Sequence, residues 1–182
     1  SVEEELRKLK EEIDRVLEEN KKIIDDIRKE LDDVNRENKK IIDDIRKEID
    51  DVLERVRGED KDRMREIEEV ARRAKEKLDR LLEKSTRLIE KLKEELDDLV
   101  RRSAELAKEM KDRLKELKDN NVDEKDLKKL LEEVRELLER SRRASEELLR
   151  EVKRLLDESR KESKRLADDV RRLLEELERR TK

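Results

Sequence analysis

Along the first stretch of the chain the apolar residues follow one track: Val2, Leu6, Leu9, Ile13, Val16, Ile24, Ile27, Leu31, Val34, Ile42, Ile45, Ile49, Val52 and Val56. Only Asn20 and Asn38 interrupt it. The steps repeat as 4-3-4-3-4, and each repeat sums to eighteen. Five turns of an unstrained helix take about 18 residues at 3.6 per turn. A seven-residue repeat winds a bundle left-handed and an eleven-residue repeat winds it the other way. An 18-residue period does neither. It predicts straight helices that keep one face toward their neighbours. The letters repeat as well: ENKKIIDDIRKE fills residues 19–30 and again 37–48.

Two further segments keep the rhythm. The second runs Ile67, Ala71, Ala74, Leu78, Leu81, Ser85, Ile89, Leu92, Leu96, Leu99, Ser103, Ala107, Met110, Leu114, Leu117. The third runs Leu130, Val134, Leu137, Ser141, Ser145, Leu148, Val152, Leu155, Ser159, Ser163, Leu166, Val170, Leu173, Leu177. Flanking residues such as Leu17, Ile23, Leu82, Leu149 and Leu174 widen each stripe enough for a helix that faces two others. Helix breakers are confined to two places. Gly58, the sole glycine, suits the left-handed residue just past a helix end, and Asp60 can cap the helix that follows. Asp123 is the second N-cap candidate, with Asp126 three residues later and Val122 and Leu127 at the spacing of a hydrophobic staple. At the start, Ser1 and Glu4 fit a capping box.

The expectation is a single all-α domain over 1–182: an elongated, up-down-up antiparallel three-helix bundle. Its helices would span about 1–57, 60–118 and 123–182, with turns at 58–59 and 119–122. Each would be on the order of 85–90 Å long at about 1.5 Å per residue.

Polar residues sit inside the stripes at the same interval: Asn20 and Asn38, then Ser85 and Ser103, then the pairs Ser141 with Ser145 and Ser159 with Ser163. Matching Asn20 to Ser103, or Asn38 to Ser85, centres the first hairpin beside the Gly58–Asp60 turn. Matching Ser103 to Ser141 or Ser145 centres the second beside residues 122–124. Two levels follow, Asn20/Ser103/Ser141/Ser145 and Asn38/Ser85/Ser159/Ser163. A buried amide or hydroxyl without a partner costs about 1–3 kcal/mol. Grouping these residues lets them satisfy one another, and sliding a helix would set Asn or Ser against leucine. That penalty fixes register in coiled coils. The blander alternative has each serine bonding back to the carbonyl one turn earlier.

Composition narrows the class. Charged residues make up 60% and apolar ones 31%, too few for a compact globule but enough for a stripe on each long helix. Disorder competes for such a composition, but the net charge is only −4 and the apolar residues are periodic. No His, Cys, Pro, Gln or aromatic residue occurs. That removes disulfides, thiolate chemistry and the histidine of a bundle di-metal site. No base stands beside the stripe serines to make a nucleophile, and one glycine cannot build a phosphate loop. The acidic balance and missing aromatics oppose a nucleic-acid partner, and the mixed polar faces oppose a membrane-surface role. No apolar run reaches a membrane span or a signal-peptide core. The residues point to no catalysis, no cofactor and no metal.

The narrow alphabet, the near-identical 18-residue units, the capped helices and the matched polar levels resemble computationally designed, parametric helical bundles. The most specific part is ENKKIIDDIRKE twice, followed by LDDV and then IDDV. The resemblance covers the whole chain. It implies an untwisted three-helix scaffold, hyperstable, with no natural substrate, partner or compartment, soluble in the cytoplasm of a recombinant host. A monomer is expected, with a homo-oligomer as the other outcome. The competing reading is a spectrin-like rod or helical interaction module that binds a protein partner, although such a rod would usually carry Trp, Gln and irregular repeats.

Overall fold

In the computed structural model, which describes residues 2–119 and 123–181, the chain forms three helices. They are α1 (Val2–Arg55), α2 (Lys61–Asp119) and α3 (Glu124–Thr181), and no strand occurs among the described residues. The fold is an all-α three-helix bundle. Almost every position between the turns is a good helix former, so propensity and amphipathic pattern agree along each helix.

The first turn shows why α1 stops where it does. Val56 still donates to Val52 at 3.1 Å, but Arg57 bonds to Glu54 at 3.2 Å and Glu59 to Val56 at 3.3 Å. These tighter three-residue steps end the regular helix at Arg55, two residues before the expected 57. Gly58 then takes φ +108°, a left-handed conformation that side chains with a Cβ resist. Asp60 caps α2 on both counts: its carboxylate accepts from the Arg63 amide at 2.9 Å and its carbonyl from Met64 at 3.0 Å. At the start of α3 the Asp123 carbonyl accepts from Leu127 at 2.9 Å. Ser1 and Val122, the other sequence-derived cap and staple positions, lie outside the described residues.

The chain packs as two compact units. Unit 1 comprises Ser1–Lys29 with Leu92–Lys153, and unit 2 comprises Glu30–Lys91 with Arg154–Lys182. Each draws on all three helices. Within unit 2, Arg46 pairs with Asp79 and Asp50 with Lys75, so α1 and α2 run antiparallel. Glu37 and Glu48 meet Arg160 and Arg171 at one constant separation of 123 residues, so α1 and α3 run parallel. Within unit 1, Arg28 lies 3.9 Å from Asp97 across the α1–α2 seam and Arg113 bonds to Glu133 across the α2–α3 seam.

The core of unit 2 sets the isoleucines of α1 (Ile42, Ile45, Ile49) against Ala71, Ala74 and Leu78 of α2 and Ala167, Val170 and Leu174 of α3. The three isoleucines of α1 thus share this core with three alanines, Ala71, Ala74 and Ala167, as well as with leucines of α2 and α3. The core of unit 1 joins Leu9, Ile13 and Val16 to Met110 and Leu114 and to Leu127, Leu131, Val134 and Leu138. Truncating one such buried Leu or Ile to Ala typically costs about 2–5 kcal/mol.

One part of the sequence reading needs correction. The buried line of α3 passes through Leu131, Leu138, Leu156, Ala167 and Leu174, whereas Leu130, Leu137, Leu155, Leu166 and Leu173 are half-buried. The chain offers adjacent apolar pairs at these points, and a wide stripe does not choose between their members. Packing does: the second member of each pair lies in line with the serines, and Ser141, Ser145, Ser159 and Ser163 are therefore on the centre of the buried face.

Candidate functional site: two buried polar levels

Each unit contains one polar level within its apolar interior. In unit 2 the level is built around Asn38, only 1% exposed. The repeating track carries it to the middle of the inward face of α1, between the buried Val34 and Ile42. Its Nδ2 donates to Ser85 Oγ of α2 at 2.8 Å and to Ser159 Oγ of α3 at 3.0 Å. One amide nitrogen with two protons thus ties α1 to both neighbours. Ser163 is brought to the same level and is fully buried, yet its Oγ has no hydrogen-bond partner, and neither has Asn38 Oδ1. Both Asn38 amide protons are therefore taken up, while its carbonyl oxygen and the Ser163 hydroxyl are left without partners.

The level in unit 1 has the same residue types but different bonds. Asn20 Nδ2 donates to Ser141 Oγ at 2.9 Å, again linking α1 to α3. Ser145 Oγ donates to the Ser141 carbonyl at 3.1 Å, the one-turn back-bond that needs no partner on another helix. Ser103 is half-buried and makes no side-chain hydrogen bond among the described residues. The physical difference lies beside it. Ser85 is flanked one turn away on each side by buried Leu81 and Ile89, whereas Ser103 has buried Leu99 on one side and half-buried Ala107 on the other. Ala107 stands one full repeat after Ile89, a small residue where the other level has a large one. The chain carried that signal, but a track that scores alanine as simply apolar misses it.

Of the eight residues assigned to the levels, Asn38, Ser85 and Ser159 form one three-helix junction and Asn20 with Ser141 forms a two-helix contact. Ser145 bonds within α3, Ser163 is buried beside its level without a bond, and Ser103 stands at the edge.

The electrostatics lie outside these levels. Arg160, adjacent to Ser159, reaches Glu37 at 3.1 Å and Asp157 at 3.8 Å. Glu48 hydrogen-bonds to Arg171 and holds its guanidinium more firmly protonated than usual. Arg72 holds the exposed Glu69 carboxyl below its ordinary range by direct hydrogen bonding, and Glu69 in turn raises Arg72. Exposed ion pairs contribute about 0–1 kcal/mol each, so they trim the surface rather than support the fold. Sequence reasoning did not single out these cross-helix pairs, since facing positions emerge only once the register is known.

The contacts seen within the levels are hydrogen bonds. Their side chains are neutral, and Ser85, Ser141, Ser145 and Ser159 bond to amide or backbone groups rather than to a base. Among the described residues, no group of three or more carboxylates is placed to hold a metal ion. Nor, among the described residues, is any helix long and apolar enough to cross a membrane. Comparison of the chain with family models, with curated proteins and with solved structures finds no match.

Proposed function

We propose that the chain is a designed structural scaffold with no natural biochemical activity, in which buried Asn/Ser levels set the register of a hyperstable bundle. The observation that carries this reading is the Asn38 junction. A side chain from one helix donates to serines of both others at the same level, and its sequence surroundings are a letter-for-letter copy of those around Asn20. An active site would converge unlike groups with opposed proton affinities. These levels instead place like, neutral groups at a fixed interval, which is what a register device requires.

The reading is tested by sedimentation equilibrium together with guanidinium unfolding. A scaffold of this kind sediments as a monomer and unfolds above about 5 M guanidinium, the range that marks hyperstability. An obligate dimer that loses its helix content on dilution would favour the interaction-module reading instead, with the outer face as the interface.

A further inference from the structure

The α1–α2 seam repeats its charges with the period of the core, and the repeat breaks at one place. In unit 2 Arg46 pairs with Asp79, and in unit 1 Arg28 pairs with Asp97. Both α1 positions are basic and both α2 positions are acidic. The next equivalent step, one repeat earlier on α1 and one repeat later on α2, brings Lys10 to Lys115. A cation faces a cation where the repeat elsewhere sets a cation against an acid.

A groove of about 580 Å³ lies at that point in unit 1. Its floor is Ile13 and Leu114, and its rim carries Lys10, Lys111, Lys115 and Lys118 with a single acid, Asp14. None of the four lysines makes an ion pair among the described residues. Lys111, Lys115 and Lys118 follow at helical spacing on one face of α2, where like charges repel. A C-terminal macrodipole accounts for Lys118 in the last turn of α2, but not for Lys10 on the first turns of the opposite helix. The contrast with unit 2 is informative. There a groove of about 360 Å³, on the α2–α3 seam, also carries Lys77, Arg80, Lys84 and Arg165, but Glu162 and Asp169 line it too and Glu162 accepts from Lys84 at 3.0 Å.

We propose that the groove at Lys10 and Lys115 binds a small organic anion with an apolar body, of the arylsulfonate class. The sulfonate would lie among the ammonium groups and the rings against the aliphatic stems of the lysines, above the largely covered Ile13 and Leu114. The size is within the usual range for small-molecule sites, about 300–1,000 Å³. This site stands independently of the scaffold reading, since it needs no natural ligand.

The probe is anilinonaphthalene sulfonate, whose fluorescence rises in apolar surroundings, and the chain's lack of aromatic residues leaves no intrinsic background. The parent should bind it saturably at one site per chain, and more weakly in about 1 M salt, where screening shortens to roughly 3 Å. Lys115→Asp restores the charge pattern of the seam, so it should fold at least as stably and weaken binding by about tenfold. Lys77→Asp, the same charge change at the unit 2 groove, should leave affinity within about twofold. The uncharged analogue phenylnaphthylamine should bind far less than the sulfonate. Equal affinity of Lys115→Asp and parent, with helix content intact by circular dichroism, would overturn the proposal. So would equal binding of the neutral analogue or a lack of saturation.

Discussion

Ser159 and Ser163 lie one helical turn apart on α3, and replacing each with alanine should move stability in opposite directions. Ser163 is fully buried and its hydroxyl has no partner. An unpartnered buried hydroxyl costs about 1–3 kcal/mol, and removing one oxygen leaves a void worth only a few tenths at about 24 cal/mol per Å³. Alanine also gains about half a kcal/mol in helix propensity. Ser163→Ala should therefore stabilise the protein by about 1–2 kcal/mol. Ser159 accepts from Asn38 at 3.0 Å. Its removal leaves one amide proton without that acceptor and loses about 1 kcal/mol, offset in part by the same propensity gain. The propensity and backbone terms are common to both sites, so the gap of about 2 kcal/mol between the two variants isolates hydrogen bonding. Guanidinium unfolding followed by circular dichroism reads it directly. With a slope of about 5 kcal/mol per M, the midpoints should separate by about 0.4 M, with slopes unchanged. If Ser163→Ala is as destabilising as Ser159→Ala, the hydroxyl of Ser163 is bonded and the account of this level is wrong.

Gly58→Ala should cost about 1 kcal/mol in a thermal melt: a Cβ there would meet nothing within 4 Å, so the loss is backbone strain at φ +108° alone, and Gly58→Asn should recover part of it. Asp60→Ala should lose about 1 kcal/mol with the Arg63 cap, and Asp60→Ser should keep most of it. With no histidine or cysteine, stability in guanidinium should be flat between about pH 6 and 9. Because Arg72 depresses the folded-state pKa of Glu69, the contribution of Glu69 is present above the ordinary carboxylate pKa and is lost as pH falls through the depressed value. Glu69→Gln should therefore lower stability at neutral pH and match the parent in strong acid, and a deficit that persists in acid would point to packing instead.

The α1 track was readable from Leu9 to Val56 because every central position there is Ile, Leu, Val or Asn and its neighbours are mostly charged, so the period has one solution. The α3 track was not, because pairs such as Leu137–Leu138 and Leu155–Leu156 let the stripe pass through either member. The levels were legible as intervals: a polar interruption recurring once per repeat in each helix has few explanations other than alignment. The bonds inside them were not, because which serine an amide reaches depends on distances of tenths of an ångström. Ser141 bonds to Asn20 while Ser103 stays half-buried beside the half-buried Ala107, a difference that belongs to packing. The charged seam was legible only afterwards, once Arg46 with Asp79 and Arg28 with Asp97 fixed which positions face each other.

The claim on which the account rests is that buried Asn and Ser hold the helices in register, and thiol crosslinking in unit 2 tests it most directly. The chain has no cysteine, so pairs can be introduced freely. Cysteines at Arg46 and Asp79 report the observed register, and cysteines at Arg46 and Thr86 report a slip of two turns, an offset of about 10 Å. A short bismaleimide should join only the first pair in the parent. In a variant combining Asn38→Leu with Ser85→Ala, Ser159→Ala and Ser163→Ala, the second pair should crosslink as well, while the guanidinium midpoint holds or rises. If that apolar variant excludes the slipped pair as strictly as the parent does, hydrophobic packing and the turn alone set the register, and the polar levels do not.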